Sequence, residues 1–445
     1  MPLPVLPPPC AGDTLCEAAV KVLRTADPWM KADYGDLAAH LWATGAIRHA
    51  YVDRATLRDG SLSSGSAEAR SAGSQGDADA GAAGSDEEQW LSVPDRPARD
   101  GTVRVVAARD MPRRGKGGSQ QSRVALLHSL VHIESWAVDL AWDIIARFGS
   151  AHSMPRAFFS DFVRVAEDEA RHFRLLAARL QSLGSRYGAL PAHDGLWESA
   201  AATAGDLKAR LAIEHCVHEV GGGGGPAGAD RGRGYSHSSL PSLLRAPLLS
   251  THHPPIPLAP APAWQARGLD VVPQTIERFR AGGDSETAEL LEQVVYPEEV
   301  THCAAGARWF SFLCLRNLRA RQGGEGGREE EAAGGGGGAG GTLRGEALGS
   351  EAAAVGRSES EDGDGDGKDE VKAERPGKAA SEGLGGAAEQ GMGEEEVSAE
   401  EHAAIVAEFH GIVRLHFRGK LKPPFNHEAR AKAGLTRDWY EPLAE

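Results

Sequence analysis

Two Glu-x-x-His steps are the residues most able to do chemistry here: Glu169-Ala170-Arg171-His172 and Glu299-Val300-Thr301-His302. On a helix, residues i and i+3 share a face, so each step can turn one carboxylate and one imidazole toward the same ion. Phe158, Phe162, Val165, Ala166, Phe173 and Leu176 share the face of the first step. Leu291, Val294 and Val295 lead into the second, and Trp309, Phe310 and Leu313 follow on its side. Glu134 lies in a third apolar stripe with Leu127, Leu130, Val131, Ala137, Val138, Ala141 and Ile145. A carboxylate in such a stripe needs a partner, either an arginine or a metal. One Glu-x-x-His step alone arises by chance on solvated helices. Two steps, with one Glu from each of two further helices, form the ligand set of dinuclear carboxylate bundles.

The fourth helix required by that scheme has two candidates. The helical wheel favours Glu214, which shares a face with Leu207, Leu211 and Val217, and places Glu219 at the edge of the stripe. His215 and His218 are further candidates there, as are His128 and His132 beside Glu134. Glu298 competes with Glu299, but only Glu299 has i+3 spacing to His302. Pro297 either widens the helix just before these ligands or marks its start. Asp139, Asp143, Arg171 and Arg308 are either groups that orient the ligands or surface charges.

The elements that must position these residues are helical. Apolar periodicity and punctuation predict helices over 13–25, 123–148, 155–183, 198–220, 273–281, 287–318 and 399–417, with a boundary at Pro28 and a Pro-containing tail over 420–445. The stretch 93–112 reads as extended. Four of these helices are long and carry an apolar face, which suggests a four-helix bundle. The expected organisation is an N-terminal helical segment over 13–58, the bundle over 121–320, and a C-terminal helix and tail over 401–445.

Three stretches are too poor in apolar residues to build a core: 61–88, 221–265 and 321–400. They are expected to be disordered insertions. The middle one opens on a Gly run and continues dense in Pro, Leu, Ser and His, residues that a pyrimidine-rich tract encodes. Val220 and Gln265 can carry the GT and AG of splice sites. The segment 220–265 therefore reads as a retained intron, in which case His218-Glu219 would run directly into Ala266.

The chain has 445 residues with 63 acidic against 48 basic, a formal charge of −15. Much of the acid lies in 321–400, so the balance says little about the folded part. There is no basic stripe for nucleic acid; Arg113, Arg114, Lys116, Lys420 and Lys422 could rim a site only if they converged. The five cysteines form no Cys-x-x-Cys pair, which fits a reduced intracellular setting, the cytoplasm first and an organelle left open. No apolar run is long enough to span a bilayer, and no secretory signal is evident at the start.

The runs 122–143 (SRVALLHSLVHIESWAVDLAWD), 162–198 (FVRVAEDEARHFRLLAARLQSLGSRYGALPAHDGLWE), 266–270 (ARGLD) and 297–310 (PEEVTHCAAGARWF) resemble an uncharacterised family of the ferritin-like superfamily. It is a domain-of-unknown-function family whose plant and algal members are described as di-iron four-helix-bundle proteins. The segments 110–119 (DMPRRGKGGS) and 421–435 (LKPPFNHEARAKAGL) are similar to it as well. The resemblance implies Glu134, Glu169, His172, Glu219, Glu299 and His302 as ligands. It points to Glu219 because that residue precedes the Ala-Arg-Gly-Leu-Asp run in relatives; Glu214 stays in reserve. The insertion directly after Glu219 departs from the family.

Carboxylate and imidazole donors suit two iron ions, with manganese as the alternative. The first functional expectation is an O2-dependent oxidase or hydroxylase with a small-molecule or modified-nucleoside substrate and an electron donor. The family is distantly similar to a tRNA-modifying di-iron hydroxylase acting on an isopentenyl adenosine. The second is ferritin-like iron handling or ferroxidase activity, and the third a bundle that binds metal without catalysis.

Overall fold

The structure, a computed structural model, describes residues 6–52, 92–112, 118–218, 268–333, 397–417 and 421–444, with side chains of the fourth stretch described through 322. Among the described residues there is no strand, only an isolated bridge between Val105 and Ala192. The described residues are all-α.

Helices α1 (Leu15–Arg24) and α2 (Pro28–Ala43) form the N-terminal segment. Thr14 and Glu17 close a capping box on α1. Pro28 is a boundary as expected, between α1 and α2. It occupies the first turn of α2, where its missing N–H costs nothing, behind the N-cap Asp27. The stretch 93–112, expected to be extended, is irregular, with bends at 95–96 and 101–103, a bridge residue at Val105 and a 3-10 turn at Ala108–Asp110.

The central pair is α3 (Gln120–Phe148) and α4 (Arg156–Ser182), which pack along their lengths; α1 lies on α3 and α2 on α4. By length and mean hydropathy (1.2) α3 qualifies as a membrane span, contrary to expectation, but 78% of its most apolar window is buried inside the protein. That is also how a core helix looks.

The helix expected over 198–220 is two elements. Helix α5 (Gly195–Ala202) ends at Thr203, and α6 (Leu207–Arg210) restarts behind Asp206, whose side chain accepts the Ala209 N–H. Gly205 and a capping Asp break the helix. Helix α6 continues as a π-helix, Leu211–Val217. Helix α7 (Val272–Ala281) follows, then α8 (Ser285–Leu290), a second π-helix (Leu291–Val295) and α9 (Tyr296–Ala333). Pro297 thus widens a running helix rather than starting one. Its ring crowds the carbonyl four residues back, and a π turn relieves that. Helix α9 runs past Arg321 into the stretch expected to be disordered, because extending a formed helix adds a hydrogen bond for each residue fixed. The tail is more helical than its prolines suggested. After α10 (Ala399–His416) come α11 (His427–Lys432) and α12 (Arg437–Tyr440).

The chain divides into two units, Met1–Arg319 with Ala399–Glu445, and Ala320–Ser398. Everything below belongs to the first. The insertions 61–88 and 221–265 lie outside the described residues, as do Arg113, Arg114, Lys116 and Lys420.

Candidate metal centre

Helix α3 supplies Glu134, α4 supplies Glu169 and His172, and α9 supplies Glu299 and His302. All five are at most 1% exposed. One donor atom each from Glu134, Glu169, His172 and Glu299 fit within 4.8 Å of one another. Donors bound at 2.0–2.2 Å to one ion lie within about 4.4 Å of each other, so small side-chain adjustments suffice for binding.

Glu169 and Glu299 each span both imidazoles. Glu169 places Oε2 3.4 Å from His172 Nδ1 and Oε1 3.3 Å from His302 Nδ1. Glu299 places Oε1 3.8 Å from His172 Nδ1 and Oε2 3.7 Å from His302 Nδ1. Glu134 Oε2 faces His172 Nδ1 at 3.6 Å. Two carboxylates therefore lie between two imidazole positions, with a third carboxylate on the His172 side.

The outer nitrogens of both rings meet acids. His172 Nε2 is 2.6 Å from Glu298 Oε2, and His302 Nε2 is 3.3 Å from Asp168 Oδ2. Arg171 donates to Asp168 (2.6 Å) and pairs with Glu298 (2.6 Å). Glu298, the carboxylate competing with Glu299, lies at the outer nitrogen of His172. Asp168 was missed. The signal that could have found it is an acidic residue immediately before each Glu-x-x-His step.

These contacts set the electrostatics. Burial pushes both imidazoles down, but the carboxylates Glu134, Glu169 and Glu298 hold His172 well above its ordinary pKa. Asp168, Glu169 and Glu299 do the same for His302. Burial pushes Asp168 and Glu298 up, and the opposing imidazoles with Arg171 bring each below the usual carboxylate range. Three buried carboxylates in one place demand cations, and an ion with neutral imidazoles satisfies them. The donor set fits divalent metal.

The remaining described candidates have other partners. Glu214 is 1% exposed on the π-helix, and its Oε1 accepts the Ser199 hydroxyl at 2.7 Å. Glu219 lies outside the described residues. His128 Nε2 accepts the Gly188 and Leu190 amides at 3.0 and 3.4 Å. His132 pairs with Tyr187, Trp136 and Asp194. His215 packs its ring on Phe162, and its carbonyl lies so close to Gly306 that a Cβ there would stand 2.6 Å away. His218 meets Ser199 at 3.1 Å.

Asp139 and Asp143 do not orient ligands. Asp139 is clamped by Lys31 (2.6 Å) and Arg99, and Asp143 by Arg147 (2.7 Å) and Arg210. They tie α2, the extended segment and α6 to α3. Arg308 pairs with Asp161 at the surface.

Fold and site together define a mostly helical protein with a buried carboxylate–histidine cluster that could hold metal. The chain belongs to the family described as "Protein of unknown function (DUF455)", which matches residues 24–222 and 259–323. It is similar to an "Uncharacterized protein" of Haemophilus influenzae, 29% identical over 213 residues, 47% of this chain. The match spans 57% of that protein's length. No solved structure matches.

Proposed function

We propose that the protein is a ferritin-like, dinuclear iron–carboxylate protein, with manganese as the alternative metal, acting as an O2-dependent oxidase or hydroxylase. One observation carries it: Glu169 and Glu299 each turn one oxygen toward His172 Nδ1 and the other toward His302 Nδ1. Carboxylates so placed suit two ions side by side, and a single ion would use only half of the arrangement. Glu134 would be the terminal carboxylate on the His172 side. Glu219, or Glu214 after turning from Ser199, would serve the His302 side. With four carboxylates, two divalent ions and neutral imidazoles, the site would be electrically neutral.

A pair of irons bound there would supply the electrons that reduce O2. The protein's part is to turn Nδ1 of both imidazoles toward the ions, with Nε2–H donated to Glu298 and Asp168, and to bury the donors away from water. A small organic molecule or a modified nucleoside is the substrate class we favour, with a separate electron donor.

The test is metal content and optical spectrum after anaerobic Fe(II) loading and exposure to O2. About two irons per chain, with an optical change on oxygenation that Glu169→Ala abolishes, supports the proposal. One ion or none, unaffected by that substitution, overturns it. Two irons with no turnover of any organic substrate favours iron handling instead.

A further inference from the structure

The family match ends at residue 323, yet residues beyond it grip the ligand-bearing helix. Asn426 donates from Nδ2 to the Tyr296 hydroxyl at 2.5 Å and to the Leu269 carbonyl at 3.3 Å. Its own amide donates to Asp270 Oδ1 at 2.8 Å, and its Oδ1 caps α11 through the Ala429 N–H. Arg430, 1% exposed, pairs with Asp270 and stacks over Tyr440, 4.1 Å from the ring centre. Farther along, Trp439 packs against Phe310 and Phe409 at ring distances of 6.0 and 4.9 Å.

Tyr296 lies three residues before Glu299, and Phe310 eight residues after His302. The C-terminal segment therefore holds α9 on both sides of its ligand step. The upstream side needs such a hold. The π turn Leu291–Val295 interrupts regular helix geometry there, and Pro297 donates no backbone hydrogen bond. The rotation of α9 about its axis decides whether Glu299 and His302 face Glu169. An error of about 1 Å in such a supporting shell is enough to loosen a metal site.

We infer that the C-terminal segment 421–443 is a positioning strap for the metal centre, with Asn426 acting through Tyr296 to set where Glu298 and Glu299 point. This rests on the metal reading above. The strap is distinct from a general stabiliser because its tether lies at the ligand-bearing turn.

The experiment is Mn(II) titration of the full chain followed by electron paramagnetic resonance, for wild type, Asn426→Ser, Tyr296→Phe and Leu435→Ala. Asn426→Ser keeps a capping oxygen for α11 but loses the amide nitrogen. Both it and Tyr296→Phe should weaken binding of the second ion about 10-fold, with melting of the metal-free protein little changed. Leu435→Ala removes buried apolar contact away from the Asn426–Tyr296 tether and should lower melting while weakening affinity less than the tether variants do. Affinities for the tether variants within about two-fold of wild type overturn the strap, and so does an equal loss in Leu435→Ala. A wild type that binds no ion overturns the metal reading and the strap together.

Discussion

Asp168 reaches across the site to His302 on the neighbouring helix, 3.3 Å from Nε2, rather than to His172 one turn along its own helix. Glu298 reciprocates at His172, 2.6 Å from Nε2. Each Glu-x-x-His step thus supplies the outer carboxylate for the other's imidazole. Asp168→Asn should weaken metal binding at the His302 position, and Glu298→Gln at the His172 position, by about 10–100-fold. Isothermal titration with Mn(II) checks this. Equal effects at both positions would contradict the crossed pairing.

Glu134 and Glu169 differ in reach. Glu169 pairs with both imidazoles, and Glu134 pairs with His172. Glu169→Ala should lose both ions, whereas Glu134→Ala should retain about one per chain, on the His302 side. Metal analysis after gel filtration separates the two. Retention of two ions by Glu169→Ala would refute the bridging role.

His128 predicts an acid-sensitive fold. It is 1% exposed, and burial with the neighbouring His132 pushes its pKa from 6.5 to about 4. Its Nε2 accepts two backbone amides, which a protonated ring cannot do. The unfolded chain binds the proton first as pH falls, so stability is full above 6.5 and declines between 6.5 and about 4. The loss is up to about 3 kcal/mol at about 1.4 kcal/mol per unit. Denaturant melts across that range should steepen for wild type and flatten for His128→Gln. Parallel curves would exclude His128 as the source.

Asp139 serves as an anchor and not as a ligand partner. It is fully buried between Lys31 and Arg99. Asp139→Leu leaves a buried lysine without its partner and should cost about 3–5 kcal/mol, with metal stoichiometry unchanged. Urea melts and metal analysis of the same preparation test both halves. Lost metal with intact stability would return Asp139 to the site.

The interruption after helix α6 makes a prediction about the gene. The family match stops at 222 and resumes at 259, inside the stretch read as a retained intron. Sequencing of the mature transcript should join the codon for Glu219 to that for Ala266. A spliced message that still encodes 220–265 refutes it.

The sequence by itself determined the helical class and most of the candidate centre. An i, i+3 spacing inside an apolar stripe is local information, so Glu169 with His172 and Glu299 with His302 could be read directly. Glu134 was legible because a carboxylate in an apolar stripe requires a reason. Helix α2 and the break at Gly205-Asp206 were not, because Pro and Asp open helices as readily as they close them. What only the tertiary structure decided is which groups meet across helices. Asp139 and Asp143 lie on the same helix as Glu134 and look like site residues in one dimension; arginines and a lysine from remote segments claim them. Asp168 is spaced i, i+4 from His172, yet serves His302. Side-chain partners across a helix interface depend on the rotation and register of two elements, and no spacing within one element carries that information.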